Sequence, residues 1–81
     1  MGLNSSQIMV LNWLYNFHKK GETASYKGTI EHFGEVLKIA DPMNVIKSLY
    51  DMGFISINMS NLTASLTKSG IQHYESLKRN N

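Results

Sequence analysis

After a short polar start, the N-terminal stretch is apolar almost all round. Ile8, Met9, Val10, Leu11, Trp13, Leu14, Tyr15 and Phe17 cover most of a circumference at about 100° per residue. Only a wedge around Ser5, Asn12, Asn16 and Lys19 is polar. The pattern predicts a first helix over 4–20, with Asn4 or Ser5 at its N-cap and Gln7 as reciprocal capping-box partner. Gly21 is its expected stop, and Lys19 and Lys20 place positive charge at the negative end of its dipole. A surface helix buries one stripe. This one either lies between flanking helices or lends a second face to a partner.

A short strand at Ala24–Tyr26 is expected to lead into a second helix over 27–37, with Ile30, Phe33 or Gly34, and Leu37 facing inward. Ile39 then fills the turn. The third helix, 42–52, has the clearest limits: Asp41 as N-cap, Pro42 at the first helical position and Gly53 as a left-handed stop. Val45, Ile46, Leu49, Tyr50 and Met52 form its apolar face; Met43, Asn44, Lys47, Ser48 and Asp51 form the other.

Over 54–66 the period changes to alternation, which predicts a β-hairpin. With Ser60–Asn61 as its turn, Met59 faces Leu62, Ile57 faces Ala64 and Ile55 faces Leu66, all on one face. Asn61 is the residue suited to positive φ there. Thr67 caps a last helix over 68–78, in which Ile71, Tyr74 and Leu77 recur. The fold class is therefore mainly α with a small β-hairpin (α+β). The order is helix, short strand, helix, helix, strand, strand, helix, in a single domain over 1–81.

Two stretches, Val45-Ile46-Lys47-Ser48-Leu49-Tyr50-Asp51-Met52-Gly53-Phe54-Ile55 and Leu66-Thr67-Lys68-Ser69-Gly70-Ile71, together with this element order, resemble the winged helix-turn-helix superfamily. Small bacterial regulators of the MarR-like and PadR-like kinds end the third helix with Leu-x-x-x-Gly-(aromatic or Leu)-Ile and leave the wing through Leu-Thr-x-x-Gly. The resemblance implies a DNA-binding transcriptional regulator acting as a homodimer on double-stranded DNA. It places the third helix in the major groove, with Met43, Asn44, Lys47 and Ser48 as reading face. Asn suits adenine and Lys suits guanine there. By the same resemblance Lys27, Gly28 and Thr29 meet phosphate at the start of the second helix, and Asn58, Ser60 and Asn61 form the wing tip. The dimer seam is expected to use Met9, Trp13 and Phe17 of the first helix with Tyr74 of the last. The competing reading is a first helix flanked on both sides within one chain.

Charge narrows the picture. Eight Lys and Arg against six Asp and Glu give a net charge of +2, which permits nucleic-acid binding without arguing for it. The hairpin contains no Lys or Arg, Lys47 lies between Asp41 and Asp51, and the only Arg is Arg79. DNA affinity rests largely on neutralised phosphates, so a dimer is expected to be needed. The alternative function is a winged-helix adaptor or inhibitor, of a kind found in phages and mobile elements, that binds a protein partner instead of DNA.

No constellation of catalytic residues is present, so the expectation is a non-enzyme without cofactor or small-molecule ligand. His18, His32 and His73 lie on three separate helices without ligand spacing, and no metal site is expected. The chain has no cysteine, no apolar run near the roughly 20 residues of a membrane span, and no signal-peptide pattern. A soluble, cytoplasmic protein without membrane association is expected.

Overall fold

The computed structural model describes residues 2–79. Helix α1 covers Ser5–Lys19. Asn4 caps it: its side chain accepts from the Gln7 amide at 2.9 Å, and the Gln7 carboxamide oxygen accepts from the Asn4 amide at 2.9 Å. The nitrogen of the same carboxamide donates to Ser48 Oγ at 3.0 Å, tying the cap to a distant helix. Gly21, at φ 74°, lies just beyond the end of α1.

Strand β1 (Ala24–Ser25) leads directly into α2, Tyr26–Glu31, which Ser25 caps by accepting from the Gly28 amide at 3.0 Å. The second helix changes character over His32–Val36, where it widens into a π turn; the Leu37 amide reaches back to the His32 carbonyl at 3.1 Å. The uniform helix expected over 27–37 is corrected accordingly. Lys38 then takes positive φ and the chain reverses, with the Ile39 amide on the Phe33 carbonyl at 2.8 Å. Ile39 thus packs against the core, while Leu37, expected to face inward, ends at the surface.

Helix α3 runs Pro42–Asp51 behind an Asp41 cap that accepts from the Asn44 amide at 3.2 Å. Ile46 and Leu49 are buried and Val45 partly so, whereas Tyr50 and Met52 are about half exposed. Their expected place on the inner face is corrected. Met52 stands at the C-cap beyond the packed turn, and Tyr50 borders an open groove. Gly53 supplies the left-handed stop at φ 82°.

Strands β2 (Ile55–Asn58) and β3 (Thr63–Leu66) pair antiparallel, with Ile55 opposite Leu66 and Ile57 opposite Ala64. This is the register in which the apolar alternation matches. The last paired residues are Asn58 and Thr63, so Met59 and Leu62 belong to the turn and stand exposed. Positive φ falls on Leu62, not on Asn61. Strand β1 adds to the far side of β3, giving the sheet order β1-β3-β2.

Helix α4, Lys68–Arg79, packs on α1. The described residues thus form four helices and a small three-stranded antiparallel sheet, an α+β arrangement. Its core holds Val10, Leu11 and Leu14 of α1 with Phe33, Ile46, Leu49, Ile55 and Ala64. Among the described residues, no helix is long and apolar enough to cross a membrane.

The two stretches singled out in the sequence meet in space. Thr67 donates its hydroxyl to the Gly53 carbonyl at 2.6 Å, accepts from the Gly70 amide at 3.0 Å, and donates its own amide to the Phe54 carbonyl at 3.0 Å. Gly70 then passes against the Phe54 backbone with no room for a side chain. This clasp fixes the base of the hairpin to the start of α4.

Candidate nucleic-acid interface

The Asp41 cap and Pro42 start α3 sharply, and burial of Ile46 and Leu49 fixes its rotation. Met43, Asn44 and Lys47 consequently face solvent. They border an open groove of about 450 Å³ that is also lined by Asp41 and Ile46, by Tyr26 at the start of α2, by Tyr50, and by Ile57 of the hairpin. Tyr26, Tyr50 and Ile57 were not expected here. Their signal was present, since each is a large apolar residue beside a polar face, but the groove appears only once three elements meet.

Five other expected contacts are placed less uniformly. Lys27 is exposed on the first turn of α2. Thr29 is not available to a phosphate: it is buried, donates to the Ser25 carbonyl at 2.7 Å, and accepts from Trp13 Nε1 at 2.9 Å. Ser48 is half-buried and turned inward, donating to the Val45 carbonyl at 2.7 Å while holding Gln7. At the hairpin tip, Asn58 accepts from the Ser60 amide at 2.9 Å and Asn61 accepts from the Thr63 hydroxyl at 2.8 Å. Both side chains shape the turn, and each keeps its amide NH₂ as a donor.

The electrostatics of this face are sparse. Lys47 Nζ lies 2.9 Å from Asp51 Oδ2, the one ion pair among the described residues, and both side chains are well exposed. Such an i,i+4 pair contributes little, but it turns the one cation of α3 toward an internal carboxylate. Half of the eight basic side chains instead lie at the C-terminal ends of α1 and α4: Lys19, Lys20, Lys78 and Arg79. Lys19 and Lys78 both approach the Tyr15 ring, at 6.0 and 5.8 Å from its centroid.

The residues expected at a dimer seam separate into two groups. Tyr74 is buried, its hydroxyl bonded to Asn12 and its ring 4.8 Å from that of Tyr15. It belongs to the contact between α4 and α1 within the chain and is withdrawn from the seam. Trp13 stacks on His32, with centroids 4.2 Å apart, and meets Phe17 and Phe33 edge-on. Thus α1 is covered by α4, α3 and β3, with Trp13 reaching Thr29, His32 and Phe33 of the second helix, which explains its apolar girth. Met9 stays at the surface at 39% exposure, and Phe17 is partly exposed.

Tyr15 donates to Glu75 Oε2 at 2.8 Å. That bond, then burial, then the Glu75 and Tyr74 charges hold its phenol above the ordinary value of 10.0. His73 stacks on Phe54 as His32 does on Trp13. No group of three or more His, Asp or Glu among the described residues is placed to hold a metal ion. The chain matches no protein family, and neither a curated protein nor a solved structure matches it.

Proposed function

We propose that this chain is a small DNA-binding regulator of the winged helix-turn-helix type, acting as a homodimer with α3 in the major groove. The observation that carries the reading is the groove where the outer face of α3 meets the start of α2 and the hairpin, with Asn44 and Lys47 on its wall. Asn44 is suited to the paired donor and acceptor of adenine, and Met43 to a thymine methyl. Lys27 stands at the start of α2, where backbone amides favour an anion. Asn58 and Asn61 offer amide donors at the hairpin tip.

Retention of mixed genomic DNA fragments at about 50 and about 200 mM salt, with sequencing of the bound fraction, tests this reading. A palindrome should be enriched at the lower salt, and Asn44→Ala should weaken binding to it by about 1–3 kcal/mol. No retention at the lower salt would reject DNA binding.

A second reading rests on a separate observation. Met43 and Tyr50 beside the groove, and Met59 and Leu62 in the hairpin turn, are each more than half exposed, and Lys47 is tied to Asp51. A surface so apolar and so poor in charge suits a protein partner. This adaptor reading gains if the chain retains no DNA.

A further inference from the structure

A second open groove, of about 560 Å³, lies on another part of the molecule between α1 and the widened end of α2. Its α1 wall is Trp13 and Phe17, which share a helical stripe with Met9 and Lys20 at steps of three and four. Its opposite wall is Glu31, His32, Glu35 and Val36. The π turn sets this second wall: Val36 stands out at 66% exposure, while Phe33 beside it is buried. Exposed Met9 on the α1 stripe and Leu37 next to Val36 add apolar surface outside the groove.

The charges around it are sorted by side. Glu31 and Glu35 are exposed on the α2 wall, and neither forms an ion pair among the described residues. Lys20 lies at the α1 wall, with Nζ 5.8 Å from the Phe17 centroid, and it too makes no ion pair there. A two-fold axis brings each feature of a patch onto the complementary feature of its copy. This patch is complementary to itself under such an axis: an apolar middle, a cation on one edge and two carboxylates on the other.

We infer that this groove is the homodimer interface, with Val36 of each copy entering the other's Trp13–Phe17 groove and Lys20 of each facing Glu31 and Glu35 of the other. The inference rests on the homodimer in the function proposed above, and it moves the seam from the α1–α4 side to the α1–α2 side. A standard-size interface takes about 800 Å² from each partner, a moderate share of the chain's 5289 Å² of accessible surface.

Sedimentation of the full chain without DNA tests it. At roughly 100 μM, well above the micromolar end for interfaces of this size, the wild type should sediment as a dimer. Glu31→Lys/Glu35→Lys should sediment as a monomer because like charges then meet, and Lys20→Glu should do so for the same reason. An equimolar mixture of the two should restore the dimer, because both charge pairs then reform with reversed sign. Circular dichroism of each variant establishes that it is folded; Glu31→Gln/Glu35→Gln, a milder change, should weaken the dimer if the reversed charges unfold the chain. A monomeric wild type, variants that still dimerise, or a mixture that stays monomeric would each overturn the interface. Because no DNA is present, a dimer that retains no DNA fragments counts against DNA binding and leaves the interface standing, and a monomer that retains them counts against the interface and the homodimer and leaves DNA binding standing.

Discussion

At Gly70, α4 lies directly against the Phe54 backbone. A β-carbon there would come within 2.9 Å of the Phe54 carbonyl carbon and closer still to its oxygen. That oxygen accepts from the Thr67 amide, so it cannot retreat without breaking the clasp. Gly70→Ala should therefore destabilise the fold by about 3 kcal/mol, as overpacking against backbone does. A lowered midpoint of urea unfolding would record it. Thr67 adds a second constraint at the same place, since its hydroxyl both donates and accepts. The pattern Leu-Thr-x-x-Gly is thus a statement about packing: the hydroxyl closes the helix end, and the glycine lets it lie against Phe54. It says nothing directly about DNA.

Between elements, the joint of α1 and α4 depends on protonation. The Tyr15–Glu75 bond holds the phenol in its neutral form, so its folded pKa lies above the unfolded one. The stabilisation is complete below the unfolded value, near 10, and is lost as pH rises through the folded pKa. The stability difference between wild type and Tyr15→Phe should be constant up to about pH 10 and shrink above it. Urea unfolding across that range checks the sign, and a difference that grew with alkalinity would contradict it. The elements themselves were largely legible in the sequence. Caps at Asn4, Asp41 and Thr67 are local chemistry, and the Ile55–Leu66 register follows from alternation. The π turn was not legible, because nothing in His32–Val36 distinguishes it from an α-helical run. Nor were the fates of Thr29 and Ser48. Each is a polar residue on an otherwise plausible outer position, recruited inward by a partner far along the chain, Trp13 in one case and Gln7 in the other.

For the molecule as a whole, the distribution of charge matters more than its sum. Lys27 and Lys47 are the cations beside the proposed reading face, so a dimer brings about four to DNA. Counterion release then gives a slope of log affinity against log salt of about −3 to −4. Titrations at several salt concentrations would measure it. A markedly steeper slope would mean that Lys19, Lys20, Lys78 or Arg79 also reaches the backbone, and hence a different docking orientation. The resemblance in sequence pointed to the α3 face from local pattern alone, and Met43, Asn44 and Lys47 do stand at the surface. The second groove was hidden because it joins Trp13 to residues 31–36 across a turn whose width the sequence did not disclose.

The clasp at the base of the hairpin has a consequence for how such a protein can change. Thr67 and Gly70 hold Gly53 and Phe54, while β3 is gripped between β2 and β1. The four residues Met59 to Leu62 are exposed and contribute nothing to the core. What folding asks of the tip is the turn-shaping bonds of Asn58 and Asn61 and the Leu62 carbonyl that accepts from the Tyr26 amide at 2.9 Å. Charge could therefore be introduced at Met59 or Ser60, which stand exposed outside the core, without rebuilding what lies beneath them.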